Sequence, residues 1–468
     1  MLPPLMKQFL VAGSTHLAAF SAGGVVGYPG VLLHQLKAND SIIQLDLHNG
    51  SWIGSVHGIA GLPSIFLPFL MQYRGRKIVF MLSCIFIIMG WTLTYTAQGV
   101  MTLIIAECFH GLGTNSLLAV SFLSVSEMVR PKYRNLCLVL YSTYQIFGIS
   151  LVSILGGYLH WKTVGFVMGS PVLLALVLGF MWPESPSWLA YKGRLRECEM
   201  VFKSLRGTDE ESKIELMALL NSPEINKPAR RRNFEDLKTM VTSRTFYLPT
   251  MHTFLLINVL YWGGCMSVIV YGNDMIVKTS GKHNGQIKLI MDIMICVGYN
   301  LSAVLVRYFS SKNVMLFSMS GSAVFMTSAG IVTYLQDLGS VSKDSELGSY
   351  FLVGFTTFFS LGAVGIGFST ASVIIPVKYR GILGCLFVIF TCILHSSALK
   401  AYPYLCLYIN IWGVFFIYAV YWIFSIVCIW MFVPDTSNRT LKEIEDFYAN
   451  GYFTKRNLEE TVNVPFMK

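Results

Sequence analysis

Glu107 and His110 interrupt one long apolar run and Asp292 interrupts another. Three residues apart on a helix, Glu107 and His110 share a face. An ionisable side chain in an apolar medium is costly unless it is paired or used. These three are therefore candidates for holding a proton, touching a solute, or closing an ion pair inside a helix bundle. His16 and His57 sit in similar runs and are read as packing residues. A second charged set falls between runs: Gln72-Tyr-Arg-Gly-Arg-Lys77, Glu127-Met-Val-Arg-Pro-Lys-Tyr-Arg-Asn135, Arg307-Tyr-Phe-Ser-Ser-Lys312 and Pro376-Val-Lys-Tyr-Arg-Gly381. Such turns can build ion-pair clusters that latch one half of the chain against the other and are broken on each cycle. No metal-ligand spacing, no P-loop and no nucleophile–base–orienter set is present, so enzyme chemistry, a cofactor and nucleotide-driven work are not expected.

The 468 residues are 54% hydrophobic and 13% charged, with a net charge of +10. Soluble domains carry about 25% charged residues, which excludes an ordinary soluble or disordered chain. A membrane-crossing helix needs about 20 apolar residues. Twelve runs qualify: 8–33, 51–72, 78–97, 101–125, 136–158, 163–182, 247–272, 286–306, 313–335, 349–377, 382–402 and 408–432. The expected fold is all-α and integral to the membrane, with twelve transmembrane helices in two six-helix bundles. The first run is read as a retained helix and not a cleaved leader. The predicted units are 1–182 (first bundle), 183–246 (linker with short helices along the membrane face), 247–434 (second bundle) and 435–468 (tail). The ten cysteines are read as small packing residues.

With Met1 placed inside, 28 of the 35 Lys and Arg fall on the inner side. The positive-inside rule then makes both termini and the linker cytoplasmic. Asn39-Asp-Ser41 and Asn49-Gly-Ser51 fall outside and have the form of glycosylation acceptors. The basic run 227–232 is expected to face anionic lipid, with no nucleic acid as partner. The turns between runs 2–3 and 8–9, and between 4–5 and 10–11, are six spans apart. This weak internal symmetry is the pattern of a transporter built from two related bundles.

Pro183-Glu-Ser-Pro-Ser-Trp-Leu189 after span 6 resembles the PESPRWL motif of the sugar porter family of the major facilitator superfamily. Pro434-Asp-Thr-Ser-Asn-Arg-Thr-Leu-Lys-Glu-Ile444 resembles its PETKGRTLEEI, and Gly75-Arg-Lys77 its loop 2–3 turn. Trp52-Ile-Gly-Ser55, with Gly23 and Gly27-Tyr28 in span 1, looks most like the insect facilitated trehalose transporter-like branch. The resemblance implies alternating access and a cytoplasmic latch, for which the matching residues are Arg76, Lys77, Glu127, Arg134, Glu184, Arg380 and Arg439. It also implies a mid-membrane sugar site lined by amides, which pair with hydroxyls, and by rings, which cover the apolar sugar face.

The family's amides are not matched in place. Its span 5 glutamine falls on Ser142, with Gln145 one turn away. Its span 7 glutamines fall on Leu260 and Tyr261, its Ser-Gly on Gly263-Gly264, and its asparagine on Met266. Its span 8 amide falls on Ile295, its span 10 GPxPW on Val364–Phe368, and its span 11 asparagine near His395. The expected solute contacts are Gln145, Tyr28, Asn258, Tyr261, Tyr271, Phe368 and His395, with Gln145 reaching the central cavity. Glu107 stands where the family has an arginine, and span 1 has no acid between Lys7 and Asp40. Both halves of the family's proton-coupling pair are thus missing, and facilitated diffusion of a trehalose- or hexose-class solute at the plasma membrane is expected. The alternatives are a less hydroxylated solute, or a non-transporting sensor or receptor on the same scaffold. The partners are the solute and membrane lipids, with a single chain as the functional unit.

Overall fold

The computed structural model describes residues 3–37, 43–220, 240–376, 379–437, 439 and 441–453. The run 227–232 and Asn39 lie outside the described residues, as does the side chain of Arg380. No strand occurs among the described residues. The first bundle comprises α1 (Pro4–Leu36), α2 (Leu47–Ala60), a 3-10 turn (Leu62–Phe66), α3 (Leu67–Arg74), α4 (Arg76–Thr96), α5 (Val100–Met128), α6 (Pro131–Gly156) and α7 (Trp161–Phe180). The short helices α8 (Pro186–Tyr191), α9 (Leu195–Arg206) and α10 (Glu210–Leu220) follow. The second bundle comprises α11 (Arg244–Trp262), α12 (Cys265–Ser280), α13 (Gly285–Leu305), α14 (Ser311–Asp337), α15 (Leu347–Leu361), α16 (Gly365–Ile374) and α17 (Arg380–Phe432), and α18 (Leu441–Asn450) packs below it on α11 and α16.

Among the described residues, eleven apolar segments are long enough to cross a bilayer. The last, Ile382–Phe432, has 51 residues, far more than the roughly 20 needed for one crossing. It turns at Asn410, whose φ of 57° is not helical. The two spans expected at 382–402 and 408–432 are thus two helices that meet at a kink at that residue.

Three other spans are broken, each where glycine or proline weakens the helix. α2 stops at Gly61, and Pro63 opens the 3-10 turn; the sequence reading had 51–72 as one unbroken span. α11 ends at Gly263 and α12 begins after Gly264, which has φ 86°. That conformation is free only to glycine, and an added Cβ would also meet the Tyr418 ring. α15 and α16 are separated at Gly362. The backbone groups freed at these breaks are recovered by side chains. Trp422 Nε1 donates to the Gly263 carbonyl (2.8 Å), and the Ala363 amide donates to Ser318 Oγ (2.9 Å).

Glycines also let α1 and α6 touch backbone to backbone. A Cβ on Gly23 would strike the Gln145 carbonyl, and one on Gly148 the Phe20 carbonyl. Since backbone cannot yield as a side chain can, Gly148→Val should lower the thermal unfolding midpoint of the purified protein by several degrees, in line with the 1–3 kcal/mol typical of overpacking. Gly384→Val, where an added Cβ meets nothing within 4 Å, should change it little.

Candidate functional site

The turns between helices fix the two ends of the molecule. At one end Gly75, with φ 90°, lets the chain pass so close to Glu184 that a Cβ would collide with its carboxylate. Glu184 Oε1 then accepts from the amides of Arg76 (2.8 Å) and Ser185 (2.9 Å). Arg76 grips Glu127 with two nitrogens, at 2.9 and 2.8 Å, the bidentate geometry of a strong charge-assisted pair. The Ser185 hydroxyl also donates to Glu127. Lys77 Nζ caps α7 through the Phe180 carbonyl at 2.7 Å.

The second bundle repeats this arrangement with different residues. Lys312 Nζ donates to the Trp430 (2.9 Å) and Val433 (2.7 Å) carbonyls, and the Ser311 amide donates to Ser437 Oγ (2.7 Å). The 8–9 turn therefore keeps the capping geometry although it lacks the Gly-Arg pair. Arg439 lies 3.9 Å from Glu443. Arg134 Nε is buried without a hydrogen-bond partner.

One expectation is corrected here. The latch was read as joining the two bundles, but Arg76, Glu127, Glu184 and Ser185 join α4, α5 and the start of α8, all in the first half. The linker is tied to the same half. Arg206 pairs with Glu215 at 2.6 Å and donates to the Glu127 carbonyl, while Arg130 pairs with Asp209 at 2.9 Å. Burial lowers the Arg206 pKa, with Glu215 acting the other way.

The bundles meet elsewhere. Among the described residues, every hydrogen bond between them lies from the Thr143–Asn300 contact, halfway along α6, toward the end remote from Gly75. Ser150 Oγ donates to the Asp292 carbonyl (2.9 Å). Ser396 Oγ donates to the Ser55 carbonyl (2.7 Å) and accepts from the Ile59 amide (2.8 Å). Lys400 donates to Ser51 Oγ (2.8 Å) and lies 4.0 Å above the Trp52 ring. At the rim, Asp274 gathers Lys37 and Lys278 (2.8 Å each) and the Tyr402 hydroxyl (3.1 Å). This end is sealed; the Gly75 end has no such bonds between bundles among the described residues.

The predicted solute contacts divide into three groups. Tyr261 and His395 come together, with ring centroids 5.6 Å apart across α11 and α17. Asn258, one turn before Tyr261, has a buried Oδ1 without a partner. Gln145 is half-buried and makes no side-chain hydrogen bond among the described residues. Phe368 packs on Phe387 with centroids 5.9 Å apart. Tyr28 and Tyr271 are different. Tyr28 is 0% exposed, its ring edge-on to Trp91 and its hydroxyl donating to the Trp161 carbonyl (2.8 Å). The Tyr271 hydroxyl donates to the Leu399 carbonyl (3.1 Å), and its ring stacks on Tyr402 in the sealed end. Both hydroxyls are taken by protein carbonyls, so these two residues are corrected to packing and sealing positions.

The two acidic groups expected inside the bundles each face a basic partner among the described residues. Lys288 and Asp292 pair at 2.5 Å along α13. Glu107 Oε1 lies 3.3 Å from His110 Nδ1, and Oε2 lies 3.7 Å from His57 Nδ1. His57 is therefore corrected from a packing residue to a partner of the buried carboxylate. His16 keeps its packing role, with Nε2 2.9 Å from the Cys137 carbonyl. Lys37, Asp274, Ser396 and Lys400 were not singled out in the sequence. Lys400, isolated in an apolar run, was the one visible signal. Asn49 lies in the first turn of α2, where the Asp46 side chain accepts from its amide, and Ser51 is buried under Lys400.

Since Arg76 and Glu127 are remote from Asn258, Tyr261 and His395, Arg76→Ala and Glu127→Ala should slow turnover while leaving the affinity for any bound solute nearly unchanged. Binding titration alongside uptake in liposomes separates the two.

The profile of the family described as "Sugar (and other) transporter" matches residues 24–448. "Sugar transporter ERD6-like 1" of Arabidopsis thaliana is 25% identical over 403 residues, covering 86% of each chain. "Facilitated trehalose transporter Tret1" of Apis mellifera ligustica is 24% identical over 458 residues, covering 94% of this chain and 88% of that one. Among solved structures, the inward-open conformation of the xylose transporter XylE from E. coli superposes with a TM-score of 0.75 at 14% identity, over 94% of this chain and 99% of that one. With twelve crossings in two bundles and a profile match across almost its whole length, this multi-pass membrane protein has the major facilitator fold and belongs to the Sugar (and other) transporter family.

Proposed function

We propose that the protein carries a small sugar-like solute, of the trehalose or hexose class, across the plasma membrane by alternating access and without a driving ion. The observation that carries this reading is the one-ended seam: bundles joined along one half of their length and, among the described residues, free of mutual hydrogen bonds at the other present one face of an alternating cycle. The glycine breaks in the α11–α12 and α15–α16 spans supply bending points beside the seam. The relatives' names support a sugar as solute. The excess of Lys and Arg at the Gly75 end supports cytoplasmic termini.

For the solute contacts we favour Gln145, Asn258, Tyr261, Phe368 and His395. Asn258 supports the choice most directly, since an unpartnered buried amide oxygen is costly until something donates to it. A second reading, a solute with fewer hydroxyls, is favoured by the apolar residues Leu260, Met266 and Ile295 at positions where the family has amides. One chain is taken as the functional unit, in contact with membrane lipid.

Thermal stabilisation of the purified protein across sugars, polyols and apolar solutes tests the solute class: a carried hydroxylated solute should raise the midpoint in proportion to its affinity. Stabilisation by apolar solutes alone would favour the second reading, and stabilisation without uptake a sensor. Gln145→Ala and Asn258→Ala should each weaken binding of a hydroxylated solute roughly 5- to 150-fold, about 1–3 kcal/mol. Uptake should be indifferent to a protonophore. A cysteine at position 230 should resist an impermeant thiol reagent in intact cells, and labelling there would refute the orientation.

A further inference from the structure

We propose that Glu107, His57 and His110 form a proton-binding site, and that its occupancy sets how readily the seam between α2 and α17 opens. The site stands on its own geometry; only its consequence for transport rests on the alternating-access reading.

Glu107 is 0% exposed, and its ion pairs among the described residues are with the two histidines. A buried carboxylate without a lysine or arginine beside it is stable only if a proton is held on it or on a neighbour. The hydrogen bonds say where. With the Thr114 Oγ1 hydrogen on the His110 carbonyl at 2.9 Å, His57 Nε2, 3.1 Å from the same oxygen, is assigned as the donor to it. In a neutral imidazole the other nitrogen is then an acceptor. That nitrogen, His57 Nδ1, faces Glu107 Oε2 at 3.7 Å, an acceptor against an acceptor. One proton between them removes the conflict. His110 Nδ1 can donate to Oε1 in its neutral form. A purely structural cluster pairs its polar atoms, but here His57 Nδ1, Glu107 Oε2 and His110 Nε2 are all buried without hydrogen-bond partners.

The site adjoins the seam directly. The His57 ring lies 5.4 Å from His395 of α17. One residue on, a Cβ at Gly58 would meet Ser396 and Cys392 of the same helix. The other titratable groups facing the cluster are Tyr28 from α1, Cys108 from α5 itself, Cys392 from α17 and Tyr261 from α11; α4 presents the Trp91 ring. None of these carries a compensating negative charge in its ordinary form. With one proton the cluster is neutral. A second leaves an uncompensated positive charge against His395, in a region of low dielectric. Acidification therefore loosens the seam.

The test uses full-length protein in liposomes with spin labels on cysteines at Tyr158 and Tyr408, both exposed at the sealed end, in a background cleared of reactive native cysteines. Between about pH 8 and about pH 5.5, the population with the longer inter-label distance should rise several-fold. Glu107→Gln and His57→Gln should abolish that response, and Asp292→Asn should retain it. No pH response, or the same response in Glu107→Gln, overturns the proposal. Should the labelled variants fail to fold, infrared difference spectra of the unlabelled wild type across the same range serve instead. Glu107→Gln must remove a titrating carboxyl or carboxylate band, and its failure to do so also overturns the proposal. If a protonophore abolishes concentrative uptake while the distance response persists, the proton site stands and the reading of transport without a driving ion fails.

Discussion

Inside a bilayer no backbone amide or carbonyl can be left to water, and this constraint governs where the protein can bend. Each helix break is legal only because a side chain from elsewhere covers it: Trp422 at Gly263, Ser318 at Gly362–Ala363. The covering groups come from α17 and α14 of the same bundle. The second bundle can therefore hinge without exposing a polar backbone to lipid.

The same constraint explains the seam. Where the bundles meet, serine hydroxyls reach across to backbone groups: Ser396 to Ser55 and Ile59, Ser150 to Asp292. Neutral hydrogen bonds of this type are each worth only about 1 kcal/mol, so a surface made of them can be broken and remade. The stronger pairs, Arg76 with Glu127 and Lys312 with the end of α17, lie within one half and keep each bundle rigid. Buried charge pairs hold each half together internally; weaker polar contacts, with the partly exposed Lys37–Asp274 pair at the rim, hold the halves to each other.

Glu107 departs from that rule. It is a charged group placed against the weak interface and balanced by two histidines, with a third across the seam. In a lipid-like medium such a group is stable only through its proton. That ties the chemistry of a few atoms to the contact between two helices from opposite bundles.

Much of the architecture was legible in the residues. Hydropathy set the number of crossings, because the bilayer's thickness admits few other ways to bury that many apolar residues. The Gly263-Gly264 pair marked one break, because Gly264 takes a φ of 86° that is free only to glycine. Gly75-Arg-Lys77 and the Pro183-Glu pair announced the turn they build together. What the sequence could not decide was who meets whom across the bundles. Tyr28 and Tyr271 look like sugar contacts until their hydroxyls are found on protein carbonyls. His57 looks like packing until α2 lays it beside Glu107, 50 residues away. Asn410 carries no local signal for a fold-back, and Lys400, though isolated in an apolar run, does not say what it meets. Span formation is decided by local transfer free energy, which composition reports. The pairing of polar groups is decided by helix rotation and crossing, which depend on all the packing at once and exist only in the assembled structure.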